Sequence, residues 1–289
     1  MINAMTVDVE DYYHVSAFSD VISSKDWDGY ESRVEHNTNK ILDLFSRYRI
    51  KATFFVLGCV AENNPNLIKK IFNEGHEIAS HGYSHQLIYN QSIKVFREET
   101  SRSKKILEDI IQKPIKGYRA ASYSITLKSE WALDILAEEG FEYDSSIFPV
   151  KHDRYGMSNA PKLPYKLTTI EGNSIIEFPL STLNIFGYAL PVAGGGYFRL
   201  YPYAFTKFAL NKINKKNNSF VFYLHPWEVD PDQPKINAGR LSKFRHYNNL
   251  HKCESRLHEL LKDFKFDTMA NVLCDLGIME TSNSNIMTE

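Results

Sequence analysis

No excess of charge of either sign marks this chain: 34 Lys and Arg stand against 35 Asp and Glu in 289 residues, a formal net charge of -1. A nucleic-acid partner is therefore not expected, because phosphate-backbone binding needs clustered cations to displace condensed counterions. Cysteine is scarce. Cys59, Cys253 and Cys274 are odd in number, far apart and in no metal-ligand spacing, which points to free thiols in a reducing compartment. Cys59 lies in an apolar run and reads as core. The opening residues run straight into a β-like segment, without the basic, apolar and small-residue succession of a secretory leader. No run approaches the roughly 18 apolar residues that span a bilayer, so membrane contact is expected only through a surface patch. A cytoplasmic location is the expectation. Internal repeats and low-complexity tracts are also missing.

What is present is a core-forming composition, 43% hydrophobic, in which strand-like and helix-like segments alternate. Strands are expected at 4–9, 52–57, 76–80, 117–121, 141–145 and 219–224. Helices are expected at 39–48, 66–73, 92–111, 130–139, 203–213 and 250–264, where apolar residues recur at helical spacing, as Ile41, Leu44, Phe45 and Tyr48 do. Between Lys151 and Pro202 the pattern loosens. Pro161, Pro164, Pro179 and Pro191 interrupt it, and Gly194, Gly195 and Gly196 permit unusual backbone angles, so an inserted loop region is expected there. The whole reads as one α/β domain over 1–280 with a flexible polar tail at 281–289.

Three polar clusters fall at the carboxyl ends of expected strands, where barrels of alternating strands and helices assemble their sites. The first is Asp8-Val9-Glu10-Asp11, in which strand alternation lets Asp8 and Glu10 share the inward face. Buried together, these carboxylates need a cation or a proton to offset them; the alternative is a solvated acidic turn. The second is Ser80-His81-Gly82-Tyr83-Ser84-His85. Its imidazoles, four residues apart, would meet on one side of a helical turn and, with a carboxylate, complete a ligand set that leaves positions open to water and substrate. The third is Tyr223-Leu224-His225-Pro226-Trp227, whose histidine is either a core residue or a general acid able to carry a proton near neutral pH. Arg119 also ends a strand, as a surface ion pair or as the guanidinium that keeps a catalytic carboxylate ionised. His14, His76 and His152 read as structural or peripheral.

In this order the motifs resemble the polysaccharide deacetylases, the NodB-like carbohydrate esterase family 4, over about Thr6 to Pro226. Thr6 to Asp11 looks like the first motif, Ser80 to His85 the second, Tyr118-Arg119-Ala120 the third and Leu224-His225-Pro226 the fifth; Asp144 is a weak counterpart of the fourth, in which a carboxylate tunes the acid histidine. The segments Val7 to Val15, Gly194 to Leu200 and His225 to Glu228 are similar to a bacterial subgroup found with exopolysaccharide and surface-glycan biosynthesis. The resemblance implies a distorted (β/α) barrel of about seven parallel strands, with a subgroup-specific region at roughly 151–280 interleaved with it. The first motif departs from the family's pair of adjacent aspartates, since Val9 takes the second position, so the metal carboxylate is Glu10 or Asp11.

The resemblance further implies a hydrolase of carbohydrate metabolism that removes N-acetyl groups from an acetamido sugar. His81, His85 and one of Glu10 or Asp11 would hold a divalent metal, zinc first, with cobalt, nickel or iron admitted. Asp8 is the expected base, His225 the acid and Arg119 the group that positions Asp8. A backbone amide of Tyr12 or Tyr13 is a candidate oxyanion donor. Tyr12, Tyr13, Tyr197 and Trp227, with Phe198, are the candidate sugar contacts. Two other readings stay open: hydrolysis of another C–N bond, such as a cyclic amide or imide, and glycan binding without catalysis.

Overall fold

The apolar opening segment forms β1 (Ile2–Val9), buried along nearly its whole length because neighbours pair with both of its edges. The computed structural model describes residues 1–152 and 155–280; the expected tail at 281–289 lies outside them. Ten more strands follow: β2 (Thr53–Val56), β3 (Glu77–Ser80), β4 (Gly117–Tyr118), β5 (Tyr143–Asp144), β6 (Tyr165–Thr168), β7 (Ser174–Glu177), β8 (Thr182–Ile185), β9 (Tyr188–Pro191), β10 (Val221–Leu224) and β11 (Lys265–Asp267). The main sheet runs β10-β1-β2-β3-β4-β5-β7-β6, with β11 also on β1. Every pairing in it is parallel except β6 with β7, so the expected barrel of parallel strands is the observed architecture.

Strand alternation sorts the residues into two layers. Met5, Val7, Val9, Phe54, Val56, Phe222 and Leu224 face outward and form one apolar cluster with Ile41, Phe45, Leu107, Leu133 and Leu257 of the surrounding helices. Each such side chain, fully withdrawn from water, contributes roughly 1.5–3 kcal/mol before entropy is set against it. Ala4, Phe55, Ala79, Tyr143, Val221 and Tyr223 point the other way, into the barrel. At the carboxyl ends this inner face turns polar, carrying Asp8, His81, Arg119 and His225.

The stretch expected as an inserted loop, Lys151 to Pro202, is instead partly built from four short strands. β6 and β7 form an antiparallel hairpin, and β7 then joins β5 as a barrel strand, burying Ile175 and Ile176. These strands of four residues lie between prolines, too short for periodicity to show; their sheet partners decide them. The gap between β7 and β10 is bridged by single bonds, from Val221 N to Ser181 Oγ and from Tyr223 N to Ala193 O. The glycine run serves that closure. Gly194 has φ +131°, and a Cβ on it would meet the Tyr223 carbonyl oxygen at 2.0 Å. Among the described residues no helix is long and apolar enough to cross a membrane.

Candidate active site

Asp8 and Glu10 leave β1 on its inner side, as alternation requires, and both are 2% exposed. Arg119, following β4, is wholly buried; its Nη1 donates to Asp8 Oδ1 at 2.7 Å and to Thr6 Oγ1 at 2.8 Å, and its Nε donates to the Ser145 carbonyl. A buried guanidinium is costly unless its donors find acceptors, and Nη2 adds a further bond to Ser145 Oγ at 3.0 Å. Asp8 is thereby held in one orientation.

His81 and His85 converge with their ring centroids 5.3 Å apart, but no helical turn brings them there. Residues 81–87 are loop, and Gly82 (φ +76°) with His85 (φ +54°) turns the chain back on itself. The helical expectation for this spacing is thus corrected. His81 Nδ1 lies 2.8 Å from the Arg119 carbonyl oxygen, which can only accept, so the proton sits on Nδ1 and the Nε2 lone pair is free. Burial first, and His85 after it, push the His81 imidazolium down to about 4.

Glu10, His81 and His85 each offer a ligand atom, and these atoms lie within 4.8 Å of one another. Glu10 Oε2 is 2.8 Å from His85 Nε2, yet this buried oxygen has no hydrogen bond of proper geometry. A buried carboxylate oxygen without a hydrogen bond, set against an imidazole nitrogen, suits a shared cation, so the donor set fits a divalent metal. Glu10 is held in the ionised form: burial opposes this, and the neighbouring histidines, His85 foremost, outweigh it. Asp11 does not join the group. Its Oδ2 accepts from Ser32 Oγ and from the amides of Arg33 and Val34, at the start of the helix Val34–Tyr48. Its Oδ1 takes the Tyr12 amide, which removes that amide as an oxyanion donor.

His225 follows β10 and aims Nε2 at the carboxylates, 3.6 Å from Glu10 Oε1 and 3.9 Å from Asp8 Oδ2. Its Nδ1 is 3.0 Å from Glu228 Oε2, and Glu228 Oε1 accepts from Arg199 Nε at 2.6 Å. Although burial opposes it, the Glu228 bond and the Glu10 charge raise His225 to about 9, and Glu228 itself is lowered to about 2. Asp144 does not partner His225. It bonds Ser146 and neighbours Glu177, two buried carboxyls whose burial raises both. The short-range signal for Glu228 lay in the His225-Pro226-Trp227-Glu228 turn, where its side chain also accepts the His225 amide.

These groups floor a cavity of about 450 Å³. Of the residues expected to contact sugar, Tyr197 and Trp227 line this cavity, whereas Tyr12 and Tyr13 are buried in an aromatic cluster with Phe18 beneath it and Phe198 packs on Phe222 in the core. Trp227 is sandwiched between His225 and His246 and donates Nε1 to Glu10 Oε1. Sequence reading missed Tyr123, Tyr155 and Tyr223 in the wall, and His152, stacked on Tyr155, is not peripheral. Tyr223 shares a strand face with His225, which alternation alone could have exposed. Tyr123 could not be found so: it and Ser122 hold φ of +56° and +50°, a strained pair that tertiary packing imposes. His14 accepts the Asp11 amide and His76 the Ala52 amide, both as buried structural groups.

Residues 27–143 match the family model described as Polysaccharide deacetylase, and residues 145–274 match one described as a domain of unknown function (DUF3473). A peptidoglycan-N-acetylglucosamine deacetylase of Bacillus cereus is 30% identical over 123 residues, 37% of this chain and 44% of that protein. A chitooligosaccharide deacetylase of Bradyrhizobium sp. is 29% identical over 100 residues, 35% of this chain and 43% of that protein. The chain thus spans less than half the length of these curated relatives. Among solved structures, a candidate polysaccharide deacetylase from Mycobacterium smegmatis superposes with a TM-score of 0.61 at 19% identity, covering 99% of this chain and 96% of that one. The allantoinase Puue gives 0.60 at 15%, covering 96% and 92%. At these identities the likeness is one of fold.

Proposed function

Because residues 27–143 match the polysaccharide deacetylase family model, we propose that this chain is a metal-dependent hydrolase removing N-acetyl groups from an acetamido sugar of a bacterial polysaccharide or its precursor. The observation that carries this reading is the meeting of Glu10, His81 and His85 with Asp8 and His225 on the floor of one pocket. A divalent cation, which Glu10, His81 and His85 would hold, supplies polarisation of an acetamide carbonyl and acidification of a water; zinc suits the donor set, and cobalt, nickel or iron(II) are admitted.

Asp8, fixed by Arg119, takes the proton of the attacking water. His225, whose Nδ1 is tied to Glu228, gives a proton from Nε2 to the departing amine nitrogen. Tyr197 offers a ring at the pocket wall on which a sugar stacks, whereas Trp227, its two faces covered by His225 and His246, keeps the acid histidine in place. One catalytic unit over 1–280 follows from this reading, since Asp8 precedes both matched segments and His225 lies in the second. The three unpaired cysteines accord with a cytoplasmic site of action, which cell fractionation tests.

The deciding experiment is acetate release from N-acetylated oligosaccharides, nucleotide sugars and lipid-linked sugars by the metal-reconstituted protein. Release from any of them is the expected result. Ring opening of a cyclic amide or imide without acetate release moves the substrate to another C–N bond, and metal binding with no turnover on any substrate leaves a glycan-binding protein.

A further inference from the structure

The helix Arg240–Tyr247 forms part of the pocket mouth through Leu241, Phe244, Arg245 and His246. Leu241 is 61% exposed and Phe244 55%, and Leu200, another lining residue, is 45% exposed. Scattered exposed apolar side chains are ordinary, but several around one opening are not. The same segment is basic. Between Asp232 and Glu254 there is no acidic residue, while Lys235, Arg240, Lys243, Arg245 and Lys252 all fall there, in a chain whose net charge is -1. Among the described residues no carboxylate forms an ion pair with Arg240, Lys243 or Arg245. Phe244 also borders a shallow neighbouring cavity with Lys235, Lys243 and Tyr247.

Apolar and cationic side chains on one exposed helix are the composition of a segment that lies in a membrane interface. We propose that the pocket mouth docks on an anionic lipid bilayer, with Leu241 and Phe244 entering the acyl boundary while Arg240, Lys243 and Arg245 meet the headgroups. An acidic glycan would satisfy the cations and leave Leu241 against polar hydroxyls; a bilayer satisfies both. The helix is prepared for the contact, because Arg199 donates to the carbonyls of Arg245, His246 and Asn248 and fixes its carboxyl end. Docking in this pose turns the pocket toward the lipid plane. The proposal stands independently of the reaction catalysed.

The test is co-sedimentation of the full chain with vesicles of phosphatidylcholine alone and with phosphatidylglycerol added, at low and high salt. Partition onto the anionic vesicles is expected, released by salt and weakened about tenfold by K243E or by L241S/F244S, with thermal melting reporting that each variant is folded. In L241W, whose new indole reports depth, the emission moves to the blue on the anionic vesicles. No preference for anionic vesicles, or no shift in L241W, overturns the proposal. Binding of a soluble polyuronate without vesicle binding also overturns it and assigns the cations to an acidic glycan.

Discussion

Glu228 Oε2 sits 3.0 Å from both the backbone nitrogen and the Nδ1 of His225, so one carboxylate fixes the turn and the imidazole together. Its other oxygen is taken by Arg199 at 2.6 Å. The histidine therefore presents Nε2 to the pocket in one orientation, with its opposite nitrogen already engaged.

E228Q keeps the side-chain volume and removes the charge beside His225. Turnover is expected to fall roughly 10- to 100-fold, about 1.4–2.7 kcal/mol of transition-state stabilisation, with bound metal unchanged. Steady-state kinetics paired with elemental analysis reads both quantities. Wild-type turnover in E228Q removes the orienting part assigned to Glu228.

Asp8 touches Arg119 but stands apart from the ligand group. D8N is therefore expected to retain metal while turnover drops by about 10²–10⁴, the usual contribution of a general base. A fully active D8N protein would show that another group takes the proton.

Glu10 and Asp11 separate cleanly by substitution. E10Q, H81A and H85A are each expected to lose metal and activity together, because each removes one of three ligands. D11N is expected to keep its metal and to lose stability by about 1–3 kcal/mol, since the amides of Arg33 and Val34 forfeit their charged acceptor. Metal loss in D11N, read by elemental analysis beside a urea melt, would reverse this assignment.

His76 carries the pH prediction. Buried and accepting the Ala52 amide, it is lowered to about 4 by burial and then by Lys51, against 6.5 when unfolded. Between these values the unfolded chain binds more protons, so stability falls as pH drops from 6.5 toward 4. The contribution lost between pH 6.5 and 5 is about 2 kcal/mol. Urea unfolding at the two pH values is expected to show a smaller difference for H76Q than for the natural protein. Equal differences would mean that His76 is not held neutral.

The motifs were legible because barrel chemistry is written at strand ends. Asp8, His81, Arg119 and His225 each close an apolar run, and alternation put Asp8 and Glu10 on one face while sending Val9 to the other. Less was legible where the backbone leaves regular geometry. The left-handed His85 defeated the helical reading of its spacing, and the left-handed Tyr123 hid a pocket wall. β7 was also hidden, since four residues among prolines carry no period of their own.

By itself the sequence determined which side chains face inward along each strand, because that follows from a two-residue period set by covalent geometry. It also determined the pool of polar groups from which a site could be made. Only the tertiary structure decided between Glu10 and Asp11 and brought Arg199 to Glu228. Those choices turn on distances of a few ångströms between groups far apart in the chain, and packing sets such distances where local preference cannot.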